Sequence, residues 1–187
     1  MAEVDNMTAR VEILEIAQTG GNWAWQTART VWAAAKPSDR KTYLSAIAVG
    51  TRAAEFAFRP AAAPGMDNAV RWRGTVYYPA LLAHDERSLY TYMTGGEVEP
   101  MTATVTPYGQ SAGYTVPAVL LERYLRATDE TPMTEMEEAY ILTLPKAIQL
   151  ESADLVELPK MGTFEVRVCH RLDPHRNYYE IRRISDR

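Results

Sequence analysis

A single cysteine, Cys169, is all the thiol in the 187 residues, so an intrachain disulfide and a cysteine-rich metal centre are both excluded. In "VRVCHRL" it reads as a residue filling one face of a strand. Histidine is nearly as scarce, with only His84, His170 and His175. No HExxH, P-loop or GxSxG pattern accompanies them. No apolar run approaches the roughly 18 residues of a membrane-spanning helix, and no membrane role is expected. The opening "MAEVDNMTARVEILEI" has acidic residues where a secretory signal needs a basic region and an uninterrupted apolar one, so folding inside the cell is the default expectation. Positive charge is not in excess either. With 20 Lys+Arg against 24 Asp+Glu, the formal charge of -4 implies no whole-chain attraction to nucleic acid or anionic lipid. Local basic surfaces remain compatible with that total.

Apolar residues make up 47% of the chain, with 11 tyrosines and four tryptophans, which argues against global disorder. The length suits one domain or two of about 80 to 95 residues. Short strands dominate. "ARVEILEIAQ" runs into a turn at Gly20 and Gly21, and "WAWQTARTVWAAAKP" follows as the second arm of a hairpin ending near Pro37. From Ser38 to Gly50 a helix cap and the three-four spacing of Tyr43, Leu44 and Ile47 predict a short helix. "TRAAEFAF" resumes as a strand, "AAAPGMDNA" is turn-rich and exposed, and "VRWRGTVYYPALLAHDERSLYTYM" supplies strands around turns at Arg73–Gly74 and His84–Arg87 with a bend at Pro79. Elements this short bury a common face by curling or stacking, which predicts an all-β protein of small antiparallel barrels or sandwiches.

Gly95, Gly96 and Pro100 interrupt the pattern and mark the expected boundary between domains at residues 9–94 and 102–184. Beyond it the order of elements repeats. Shifting Gly74–Met93 by 88 residues places Gly74 on Gly162, Thr75 on Thr163, Asp85 on Asp173 and Tyr90 on Tyr178, with Val76 on Phe164 and Tyr78 on Val166. "TVWA" at Thr30–Ala33 is echoed by "TVPA" at Thr115–Ala118. A duplicated fold is expected; a single larger β domain and a mixed α/β arrangement are the alternatives.

The runs "RVEIL", "GGNWAWQTARTVWAAAKPSDRKTYL", "TRAAEFAFRP", "VRWRGTVYYP" and "HDERSLYTY" resemble, in that order, the head-tail adaptor (head-tail joining, or stopper) proteins of tailed bacteriophages. Val31, Trp32 and Ala33 match the family's "vWA" strand; Phe58, Arg59 and Pro60 its next element; Gly74, Tyr77, Asp85 and Arg87 its closing one. Residues 9 to 93 carry the likeness directly, and 102 to 184 only through the internal repeat. Tyr78 and Pro79 depart from it, as does the added C-terminal half. The resemblance implies a virion neck protein, assembled in the host cytoplasm as a ring of six or twelve copies. Such a ring sits between the portal or adaptor ring of the head and the tail terminator or tube, with double-stranded DNA only as passing cargo. A tail-terminator, tail-completion or capsid-decoration protein is the structural alternative.

Ring contacts need partly apolar side faces. Trp25, Trp32 and Trp72 are assigned to the core and Trp23, beside its glycine turn, to an interface. Tyr43 in the Ser38–Gly50 segment and Arg59 in the 59–69 loop are further contact candidates. Arg40 and Lys41, and Arg182 and Arg183, form basic patches that suit pairing with the acidic "TDETPMTEMEE" around Glu135, Glu137 and Glu138, although a solvated loop is the plainer reading of that run. A small hydrolase or metal protein would have to use His84 with Asp85, or His170 with Asp173 and His175. The simpler reading makes those aspartates turn residues, so no catalytic, cofactor or metal residue is assigned.

Overall fold

The computed structural model describes residues 7–42, 51–84, 89–123 and 139–184. They form two compact units, Met1–Gln18 with Ala24–Glu99, and Thr19–Trp23 with Pro100–Arg187. The protein is all-β. The first sheet contains β1 (Ala9–Thr19), β2 (Asn22–Thr42), β3 (Thr51–Phe58), β4 (Ala69–Trp72), β5 (Thr75–His84) and β6 (Thr91–Val98). The second contains β7 (Met101–Thr106), β8 (Tyr114–Arg123), β9 (Ala139–Pro145), β10 (Leu155–Leu158), β11 (Gly162–His170) and β12 (Arg176–Arg183). Each closes into an antiparallel barrel, in the order β1-β2-β3-β6-β5-β4 and β7-β8-β9-β12-β11-β10. The order is the same in both.

The likeness reaches single residues. The connector from β3 to β4 and that from β9 to β10 are related by a constant offset of 86 residues. Ala62 N donates to Arg59 O at 2.8 Å, and Ile148 N to Pro145 O at 3.0 Å. Asn68 N donates to Gly65 O and Asp154 N to Glu151 O, both at 3.2 Å. The same side chains return the bond, as Gly65 N donates to Asn68 Oδ1 at 2.7 Å and Glu151 N to Asp154 Oδ2 at 2.8 Å. A bulge lies after Pro79 in β5 and after Val166 in β11.

The ladders correct the expected alignment by two residues in β6 and β12, where Tyr92 opposite Ala57, not Tyr90, holds the place of Tyr178 opposite Thr143, and by one in β5 and β11. Val70 pairs with Tyr77 and Val156 with Phe164, so Tyr77, not Val76, corresponds to Phe164. The cause is turn length. Trp72 pairs with Thr75 across Arg73 and Gly74, whose φ angles are 52° and 83°, whereas Leu158 pairs with Gly162 across three residues. Because side chains alternate, a one-residue slip would have turned every inward residue outward.

Three further expectations change. Pro37 does not end β2; it pairs with Ala54 in β3, and the irregularity comes later, between Ser38 and Lys41. Ser38 to Thr42 belong to this strand and begin no helix, while Tyr43 to Gly50 lie outside the described residues. Gly95 and Gly96 lie inside β6, opposite Ala54 and Ala53, and not between the units. A Cβ on Gly95 would stand 2.8 Å from the Met93 methyl and 3.0 Å from Tyr77 Cβ, so glycine there makes room for the core.

That core is aromatic in the first barrel. Phe56 meets Trp72 and Tyr77 edge-on at 5.7 and 5.4 Å between centroids, among Val11, Ile13, Phe58 and Val70. Outside, Glu12 sits opposite Arg71 in the ladder and pairs with it at 2.8 Å. In the second barrel Val105, Val116, Val156, Phe164 and Ile181 are buried. Six-stranded barrels are narrow, and these interiors are filled by side chains.

Candidate interaction surface

Between β2 and the β3–β4 connector the first unit opens into a groove of about 740 Å³, lined by Met7, Thr8, Val31, Trp32, Arg59 and Ala62. Trp32 is 62% exposed, contrary to its assignment to the core. Alternation explains the difference. Ala33 is fully buried in the core cluster, so its neighbour points to the opposite face. The sequence shows that only one of the two can face that core, and not which one.

Through the ladders Ala34–Ala57 and Val119–Thr143, Trp32 takes the place that Pro117 has in the second barrel. Arg59 is exposed at the end of β3. Arg29 Nη2 donates to Ala63 O at 2.9 Å, tying β2 to the connector below the groove. Thus Val31 and Trp32 on β2 and Arg59 after β3, distant in sequence, line one groove that joins apolar side chains to a cation.

Other predicted contact residues are scattered. Trp23 is half-buried in the second unit, where the adjacent Asn22 Oδ1 accepts from Thr115 N at 2.8 Å. Trp25, also assigned to the core, is half-buried, and its Nε1 donates to Tyr78 OH at 3.3 Å. Trp72 is the one of the three that is buried, at 6% exposure. Arg40 and Lys41 contribute backbone to β2, but their side chains, like Tyr43, Glu135, Glu137 and Glu138, lie outside the described residues. Arg182 and Arg183 are exposed near the end of β12.

The second barrel holds a polar network. Lys146 Nζ donates to Arg171 O and Asp173 O at 2.8 Å each and to Asn177 Oδ1 at 3.2 Å. The fully buried Asn177 returns two bonds, from Nδ2 to Lys146 O at 3.1 Å and to Ile148 O at 2.8 Å. Tyr179 OH accepts from Leu150 N at 3.0 Å. Burial raises the phenol of Tyr179, as it raises those of Tyr77 and Tyr114. These bonds fasten residues 146–150 across the barrel.

Cys169 is held likewise. Its Sγ donates to Leu150 O at 3.6 Å, and burial pushes the thiol up, which lowers its thiolate fraction. His170 Nε2 lies 3.0 Å from Glu180 Oε1 across the strands, and His84 Nδ1 lies 3.3 Å from Thr91 Oγ1. Asp173 Oδ1 accepts from His175 N at 2.8 Å and Arg176 N at 2.9 Å, the turn role expected of it. Among the described residues no group of three metal-ligating side chains converges; Asp85 is not among them.

Comparison with protein families, with curated proteins and with solved structures finds no match to this chain.

Proposed function

We propose that this chain is a structural component of a tailed-phage or prophage neck. It joins the portal complex of the DNA-filled head to the tail and helps retain or gate the genome. The observation that carries the reading is the groove: Val31 and Trp32 from one motif segment of the resemblance and Arg59 from the next line it together, while Ala33 and Phe58 beside them are buried in the core. A buried motif would serve the fold alone, whereas an exposed tryptophan with an arginine lining the same groove has the composition of an interface anchor.

The barrels also constrain how such a protein handles DNA. Their interiors are filled, so a channel wide enough for a duplex has to be enclosed by several copies arranged around it. This supports a cyclic assembly, with weak and sequence-blind contacts to passing DNA.

The test is complementation of a deletion phage, read by electron microscopy and by nuclease protection of packaged DNA. Loss of the chain is expected to give heads that package DNA but neither keep it nor join tails. Replacing His84 and His170 together with alanine should restore function as the natural chain does, because both serve cross-strand contacts. A deletion mutant whose filled heads join tails normally would overturn the reading.

A further inference from the structure

The internal repeat indicates what the Trp32 groove lacks. Ala62, on its wall, holds the repeat position of Ile148, which is 1% exposed in the second barrel. Each connector makes the same first turn, by Ala62 N to Arg59 O and by Ile148 N to Pro145 O. The second barrel therefore buries a branched aliphatic side chain where the first presents a methyl group beside an open groove.

The chain also displays an aliphatic side chain with no cover. Leu172, in the turn between β11 and β12, is 101% exposed. A lone exposed leucine is ordinary, but its support is not. Lys146 Nζ binds the carbonyls on either side of it, Arg171 O and Asp173 O, at 2.8 Å each. Asp173 Oδ1 holds the next two backbone amides. The leucine is thus presented on a backbone already fixed, which lowers the ordering cost of docking. Charge agrees as well. Arg59 has no ion-pair partner among the described residues, and a carboxylate, Asp173, adjoins Leu172.

We propose that the Trp32 groove of one copy receives Leu172 of a second copy, with Asp173 brought toward Arg59. Groove and knob are different surfaces of the chain, so the contact is heterologous and repeats from copy to copy, generating a ring when the rotation closes. The inference rests on the ring-forming reading above and names its contact.

Two measurements test it on the full chain. First, Ala62→Cys and Leu172→Cys are made separately in a Cys169→Ser background, mixed, and treated with a short bismaleimide. Cross-linked dimers should form in the mixture and not from either variant alone. Second, sedimentation velocity over a concentration series should show self-association weakened about tenfold or more by Leu172→Ser, from the lost burial of one leucine. Ala62→Ile, which fills the groove from within, should weaken it similarly. Thermal unfolding of each variant checks that the fold persists, and Leu172→Ser alters a fully exposed side chain. Self-association unchanged in both variants, with no mixed cross-link, removes this contact while leaving the ring reading standing. A chain that stays monomeric at every concentration, and is present singly in assembled particles, removes both.

Discussion

Asn177 illustrates how much one buried polar side chain can hold. It donates to two carbonyls of the β9–β10 connector and accepts from Lys146, so truncation removes a hydrogen bond from each of three polar groups, and the Lys146 carbonyl has no other bond among the described residues. Asn177→Ala should destabilise the protein by about 3 kcal/mol, measured by urea unfolding, because stranded buried groups lose their hydration without replacement. Thr143 is the opposite case. It is 1% exposed and its Oγ1 has no hydrogen-bond partner. The first barrel has Ala57 at the equivalent ladder position. Thr143→Val removes an unsatisfied hydroxyl at nearly constant shape, and should raise stability by up to about 1 kcal/mol in the same assay. Two buried polar residues on adjacent strands thus differ in sign, decided by whether partners are present. Neither sign was legible in the sequence, which shows residue type but not the connector that folds back over Asn177.

Among the elements, β6 departs furthest from what its residues suggest. Gly95 and Gly96 read as a break in the chain, yet they sit in the ladder opposite Ala54 and Ala53. The reason is three-dimensional. Phe56 and Tyr77 from the neighbouring strands and Met93 from β6 itself converge on Gly95, and only a residue without Cβ leaves them room. Gly95→Ala should cost about 1 to 3 kcal/mol through overpacking, checked by thermal unfolding. The Met93 methyl can swing aside, but Tyr77 Cβ, fixed to its backbone, cannot. In the second barrel the corresponding ladder position is Ile181, opposite Tyr140, so the two cores fill the same site by different means. Strand alternation and glycine turns made most strands readable in advance, and "TVWA" and "TVPA" occupy equivalent places. The connector match was hidden because Asn68 and Asp154, which make the same turn, are different residue types. The predicted helix failed at its start because Ser38, a good cap in isolation, pairs with Ala53 in the sheet. The exposed site was half legible: its motif segments could be listed, but Trp32 was placed on the wrong face and the groove joining it to Arg59 required the fold.

For the whole molecule, phenols buried in both barrels couple stability to alkaline pH. Tyr77 in the first barrel and Tyr114 and Tyr179 in the second are each raised above the ordinary value of 10.0, first by burial. An acid raised in the folded state binds its proton more tightly there than in the unfolded chain. The resulting stability is fully present below the unfolded phenol value and is lost as pH rises through the higher folded values. Unfolding free energy measured in urea at pH 8, 10 and 11 should therefore fall across the upper interval. Tyr179→Phe separates this effect from general charge repulsion. It should cost about 1 kcal/mol at pH 8 because Leu150 N loses its acceptor. It should also make the alkaline decline shallower, since one titrating phenol is gone. A decline equally steep in the variant would mean that Tyr179 does not contribute to it, and that charge accumulating over the rest of the chain governs the loss.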